Sequence, residues 1–216
     1  MINLTDFENK IGYKFKNKAL LTEALTHTSY ANEHGTKSFE RLEFLGDSIL
    51  GFVVAENLYT MYQNKDEGFL SKTRAGIVCE DSLSEIARSL GIPDVLLLGV
   101  GEEKSRGREK NSIISDVVEA TIAAVYKDSD FETAKELINR IIPQDTYLKC
   151  GISDYKSTLQ ETFKQSKVSY DTIPFTDDDV NMFRSRVFLD GKCKGEGTGI
   201  TKKAAEQRAA QHALEK

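Results

Sequence analysis

At 216 residues and 24.2 kDa, with 39% hydrophobic and 29% charged residues, the chain can bury one or two cores and is neither disordered nor fibrous. Its longest apolar run, Ile49 to Ala55, falls far short of the ~20 residues that cross a bilayer, MINLTDFENK lacks a leader pattern, and Cys79, Cys150 and Cys193 lie too far apart for a thiolate zinc site, so the expectation is a cytoplasmic protein with no membrane partner. The net charge of −5 argues at first against nucleic acid, but it is uneven: residues 1–151 carry 18 basic and 24 acidic side chains, residues 152–216 carry 11 and 10.

To about residue 143 the apolar residues recur three and four apart, which predicts helices over 17–32, 38–63, 67–75, 80–90, 111–127 and 131–141. Gly91, Pro93 and the stretch GVGEEKSRGREK read as loops. After Pro143 the periodicity stops and a linker is expected over 147–153. A helix from Asp154 to Lys167 follows, then strands over 168–175, 181–190 and 192–199 with turns at TDDD and DG, and an alanine-rich helix capped by Thr201. The fold class is therefore multidomain: an all-α domain over 1–146 and an α-β-β-β-α, α+β domain over 154–216.

The sharpest signal lies in ERLEFLGDSIL. Glu40, Glu43 and Asp47 fall within ~60° of arc on a helix and share a stripe with Leu50, Val54 and Leu58, which should point inward. Gly46 would let another backbone approach closely. In SIISDVVEATIAAVY, Asp116 and Glu119 are the only charges and again share a face. Buried like charges need a cation, yet Arg41 points away from the stripe and no basic residue stands inside either helix core before Lys127. Four carboxylates without His or Cys suit a hard ion such as Mg²⁺ or Mn²⁺, and the Glu-x-x-His motifs of a di-iron bundle are absent. The alternative is an acidic stripe exposed at a helix end; that two helices show the pattern favours the metal.

ERLEFLGDSIL, DEGFLSKTRAGIV and GEEKSRGREKNSIISDVVEATIAAVY together resemble, in order, the blocks of the ribonuclease III endonucleases. The resemblance implies metal ligands at Glu43, Asp47, Asp116 and Glu119, with Asp47 and Glu119 catalytic, and supporting acids at Glu40 and Glu67. It implies two-metal hydrolysis of double-stranded RNA, with Mg²⁺ as cofactor and Mn²⁺ as a substitute, leaving 5′-phosphate and 3′-hydroxyl ends with short 3′ overhangs. It further implies processing of ribosomal RNA precursors and some messenger RNAs, and a homodimer with Phe44 at the contact. Arg106 and Asn111 depart from the family's loop pattern. His27, in LTHTSYANE, matches a family block, but a lone histidine on a helix is more often packed or hydrogen-bonded.

DYKSTLQE and GEGTGITKKAAEQRAA resemble the two ends of a double-stranded RNA-binding domain. That likeness implies minor-groove contacts from Ser157, Gln160 and Glu161 and phosphate contacts from Lys202 and Lys203. The two lysines stand in a helix's first turn, against its dipole, where a bound anion would compensate them. Thr176, Asp177, Asp178, Asp179 and Val180 replace the Gly-Pro-x-His loop of many relatives, and three acids there should weaken binding. GEGTG lacks the Walker spacing, so no nucleotide cofactor is expected. Two other readings are a metal-free RNA-binding module on a disabled nuclease scaffold and a small-molecule metallophosphohydrolase. The six acids argue against the first and the second domain against the other.

Overall fold

The computed structural model describes residues 4–144, 146–147, 155–177 and 180–215, in two compact units, Met1–Leu148 and Lys149–Lys216. The expected linker beyond Tyr147, the helix start at Asp154, and Asp178, Asp179 and the side chain of Asp177 lie outside the described residues.

The first unit is helical: α1 (Leu4–Ile11), α2 (Lys18–Ala24), α3 (Thr28–His34), α4 (Glu40–Met61), α5 (Glu67–Ile77), α6 (Glu80–Leu90), α7 (Ile92–Val95), α8 (Val100–Lys104), a 3₁₀ turn (Gly107–Glu109), α9 (Asn111–Asp128) and α10 (Phe131–Ile141). None of these helices is long and apolar enough to cross a membrane. Its centre is α9, where Val117, Val118 and Ala120 through Val125 are all buried, wrapped by α4, α6, α2 and α10. Burial of this kind is what holds a helix whose β-branched residues favour it only weakly, and Ile122→Ala would cost about 2–5 kcal/mol.

The predicted helix over 17–32 is two helices. Leu25 ends α2, Thr26 forms a parallel bridge with Leu97, and His27 restarts the chain as the cap of α3. The bonds His27 N–H to Leu97 O at 3.0 Å and Leu97 N–H to Leu25 O at 2.8 Å join segments about seventy residues apart, beyond the reach of local periodicity. The loops expected at Pro93 and at 99–110 contain short helices, and α1 was not foreseen; Phe7 and Ile11 bury its inner face. At the far end of α9, Asp128 accepts hydrogen bonds from Tyr13 Oη (2.8 Å), Lys16 N–H (2.7 Å) and Asn17 N–H (2.8 Å), fastening the α1–α2 turn to it.

The second unit is α11 (Tyr155–Thr162), the antiparallel sheet β1 (Val168–Asp177), β2 (Val180–Leu189), β3 (Lys192–Gly199) in that order, and α12 (Lys202–Leu214). Asp190 (φ +50°) and Gly191 (φ +79°) make the expected two-residue DG turn. Leu159, Val187, Leu189, Ala209, Ala210 and Ala213 form its core. The GEGTG segment has a packing role: a Cβ on Gly195, Gly197 or Gly199 would lie 2.3–2.7 Å from backbone atoms of α12, so alternate glycines let the helix lie directly on β3.

Candidate active site

The first site forms where α4 crosses α9. A Cβ on Gly46 would stand 1.9 Å from the carbonyl oxygen of Glu119, so the two helix backbones touch there as only glycine permits. The residues flanking this contact are the predicted acids: Glu43 and Asp47 on α4, Asp116 and Glu119 on α9. Carboxylate oxygens of Glu43, Asp116 and Glu119 lie within 4.8 Å of one another.

These three are half-buried, and each carboxyl is pushed above its ordinary range. Burial is the first cause for all of them. Glu119 rises to about 8, with Asp47, Asp116 and Glu43 adding repulsion. Glu43 is raised further by Asp116, Glu40 and Asp47. Asp116 is raised although the Ser115 hydroxyl pulls the other way, and Glu80, an acid sequence reading missed, adds to the rise. Among the described residues no Lys or Arg forms an ion pair with any of these carboxylates. A cluster of oxygen donors that resists carrying its full charge is suited to a hard divalent cation, which supplies the missing compensation.

The burial expected for the whole stripe holds only in part. Glu40 and Asp47 are exposed, because the stripe leaves the core at the N-terminal end of α4. Asp47 stands outside the group of three, yet it is the strongest charged neighbour of Glu119. Glu40 accepts a bond from Ser38 Oγ at 3.0 Å. Glu67, in the first turn of α5, is not in the group either; its carboxylate accepts from Ser71 Oγ at 2.6 Å. It lines a groove of about 400 Å³ with Phe52, Tyr59 and Leu70. Phe44, Phe52 and Tyr59 continue one outward face of α4 at 78%, 58% and 75% exposure, adjoining the acidic stripe. The two departing loop residues have structural roles. Arg106 takes the left-handed conformation (φ +58°), and Asn111, opening α9, accepts from Arg88 Nη2 at 2.5 Å and so ties it to α6.

In the second unit Ser157, Gln160 and Glu161 share one face of α11, with Gln160 and Glu161 exposed and Leu159 turned into the core. Lys202 and Lys203 are exposed in the first turn of α12, whose cap is Thr201, accepting from Ala204 N–H at 3.1 Å. Lys156 Nζ bonds Glu206 at 2.6 Å and lies 4.7 Å from the Tyr170 ring centroid, while its N–H donates to Gln207 at 3.0 Å. These contacts, for which the sequence carried no signal, fix α11 against α12 and hold the two exposed faces in a set relation.

A family model described as ribonuclease-III-like matches residues 17–145, and one described as the double-stranded RNA binding motif matches 155–216. A protein named Ribonuclease 3 from Caldanaerobacter subterraneus is 44% identical over 99% of this chain and 97% of its own length. Its namesake from Listeria monocytogenes is 39% identical over 98% and 96%. The crystal structure of the nuclease domain of ribonuclease III from Campylobacter jejuni superposes with a TM-score of 0.63 at 43% identity, covering 67% of this chain and 97% of that one. A second structure of that domain, covering 65% of this chain and 96% of that one at 44% identity and a TM-score of 0.62, is described by structural flexibility in a region involved in dimer formation.

Proposed function

Because the chain belongs to the ribonuclease III family, we propose that it is a cytoplasmic endoribonuclease that hydrolyses phosphodiesters of double-stranded RNA in a Mg²⁺-dependent reaction. The observation that carries the reading is the convergence of Glu43, Asp116 and Glu119 across the Gly46 contact, with Asp47 at its edge. The first unit is the catalytic domain, expected over 1–146, and the second, over 154–216, holds the duplex.

Glu43, Asp47, Asp116 and Glu119 would hold Mg²⁺, or Mn²⁺ in its place. When bound, a divalent metal makes water a nucleophile at neutral pH and offsets the charge that develops on a departing oxygen, the work of a two-metal hydrolase. The chain's own part is to bring carboxylates together against their repulsion and to keep lysines out of the cluster, so that a bound cation replaces the protons that burial favours. Asp47 and Glu119 are assigned as the catalytic pair on the family resemblance; Asp47, outside the group of three, is the first of the charged neighbours that raise Glu119. Glu40 supports the cluster from the N-terminal turn of α4. Cleavage of this type leaves 5′-phosphate and 3′-hydroxyl ends.

Two strands need two sites, and the exposed apolar face of α4 is the surface on which a second copy seats. The likeness to the Campylobacter nuclease domain, whose description speaks of dimer formation, supports a homodimer with Phe44 at the contact. Glu67, facing the groove beside Phe52 and Tyr59 rather than the carboxylates of its own protomer, serves from the interface side. One cut per protomer gives short 3′ overhangs, and long structured transcripts such as ribosomal RNA precursors and some messenger RNAs are the natural substrates. Ser157, Gln160 and Glu161 would lie in the minor groove and Lys202 and Lys203 on phosphates, positioning the duplex without reading bases.

Glu119→Gln tests the reading. The amide keeps the shape and removes the charge, so Mg²⁺-dependent cleavage is abolished while the gel-shift of the same duplex stays within about twofold. Near-normal turnover by this variant overturns the assigned site.

A further inference from the structure

His27 caps α3 with its ring against Phe39, the residue before Glu40, and its hydrogen bonding fixes its tautomer. Nδ1 caps α3, accepting from Ser29 N–H at 3.2 Å, and stands 2.8 Å from Ser29 Oγ. That hydroxyl oxygen itself accepts from Gly99 N–H at 2.9 Å, which turns its proton toward Nδ1. Two donors therefore face Nδ1, so the neutral ring carries its proton on Nε2. Burial holds the imidazole below its ordinary range and outweighs the pull of Glu102 and Glu40, keeping it neutral.

Among the described residues nothing accepts from Nε2. The ring packs on Phe39, centroid to centroid 5.7 Å, and Phe39 immediately precedes Glu40 at the start of α4. A half-buried donor with an oriented proton thus stands by the N-terminal turn of α4, within the electrostatic reach of Glu40. Glu40 stands one helical turn before Glu43 on α4, so a strand that brings one phosphodiester to Glu43, Asp116 and Glu119 and runs toward the start of α4 would carry a neighbouring phosphate toward Glu40 and the Phe39–His27 pair. A neutral donor there binds an anionic oxygen without disturbing the metal-holding charge, as a lysine would.

We propose that His27 is a substrate-contacting residue whose Nε2–H donates to a phosphate oxygen of the strand being cut, next to the scissile position, with Ser29 and Gly99 as the groups that orient it. The assignment rests on the duplex-RNA hydrolase reading.

Two substitutions separate the two nitrogens. Asn at 27 places its amide oxygen where Nδ1 was and is a favoured helix cap, but it does not extend to Nε2; Gln reaches the Nε2 position and loses the cap. The full-length protein is assayed with Mg²⁺ and a perfect RNA duplex under single-turnover conditions with protein in excess, alongside gel-shift and thermal melting. His27→Asn is expected to melt as the wild type and bind the duplex within about twofold, yet cleave about tenfold more slowly. His27→Gln is expected to melt a few degrees lower and, below its melting temperature, to recover most of the rate that Asn loses. Wild-type cleavage by His27→Asn, or rates that follow the melting temperatures of the two variants, overturns the proposal and leaves the hydrolase reading standing. A wild-type protein that fails to cleave duplex RNA overturns both.

Discussion

At Gly46 two helices meet backbone to backbone; at Gly195, Gly197 and Gly199 a strand and a helix do the same. In the second unit the close approach is filled by Ala205, Ala209 and Ala213, and all that it gains is packing. In the first it brings carboxylates together, and burial, with repulsion from Asp47, Asp116 and Glu43 added, raises Glu119 to about 8. The same backbone device stabilises one unit and loads the other with buried carboxylates that a proton or a cation must compensate. Binding capacity in the first unit is obtained at the expense of its own stability.

The largest effect expected from breaking this comparison is that of Gly46→Ala. Its Cβ would meet Glu119 O at 1.9 Å, backbone against backbone, so α4 and α9 must separate. Denaturant melts should show a loss of at least about 1–3 kcal/mol, and cleavage should drop tenfold or more because the carboxylates part as well. Gly197→Ala, whose Cβ would meet Ala209 N at 2.4 Å, should cost the second unit a similar amount. There the loss appears as weakened duplex binding, with the metal response of the first unit intact. If Gly46→Ala left Mg²⁺-dependent cleavage unchanged, the helix contact would not be what assembles the site.

A smaller effect sharpens the contrast through pH. Folded metal-free protein keeps a proton on Glu119 that the unfolded chain, with the ordinary value of 4.5, has released. A raised carboxyl binds more protons in the folded state, so stability falls as pH rises from 4.5 through about 8. Millimolar Mg²⁺ should offset this, raising the melting temperature more at pH 8 than at pH 6, and Glu119→Gln should flatten both trends. Identical melting with and without Mg²⁺ at pH 8 would mean that the acids are not a preformed cation site.

The smallest effect is electrostatic and confined to the second unit. Replacing Lys202 and Lys203 by Ala should weaken binding about equally for all duplex sequences and reduce the salt slope by roughly 1–2. Circular dichroism should show the fold intact; unchanged affinity and slope would remove α12 from the RNA backbone.

The carboxylates were legible because spacing determines a helix face, and Gly46 because a glycine inside an apolar helix is costly without a reason. Depth was not legible: the same stripe holds buried Leu50 and exposed Asp47, and only the extent of α9 along α4 decides which is which. The break at Thr26 depends on a partner at Leu97, so no local window could hold it. His27 was readable as a hydrogen-bonded histidine, but its tautomer is set by Gly99, reached through Ser29. In GEGTG the sequence carried no sign of the segment's packing task, admitting α12, which appears only once the helix is in place.

The bonds from Asp128 to Tyr13, Lys16 and Asn17 span 111–115 residues of chain. As the protein is synthesised from its N-terminus, the α1–α2 turn has only local bonds such as those to Glu8 until Asp128 at the end of α9 has left the ribosome, and Asp116 and Glu119 arrive in the same stretch. Closure of the first unit and completion of its carboxylate set are thus one event late in the unit's synthesis. A nascent chain bearing only α1 to α8 carries Glu43 and Asp47 but neither Asp116 nor Glu119, so it folds without the carboxylate cluster and without the repulsion that goes with it.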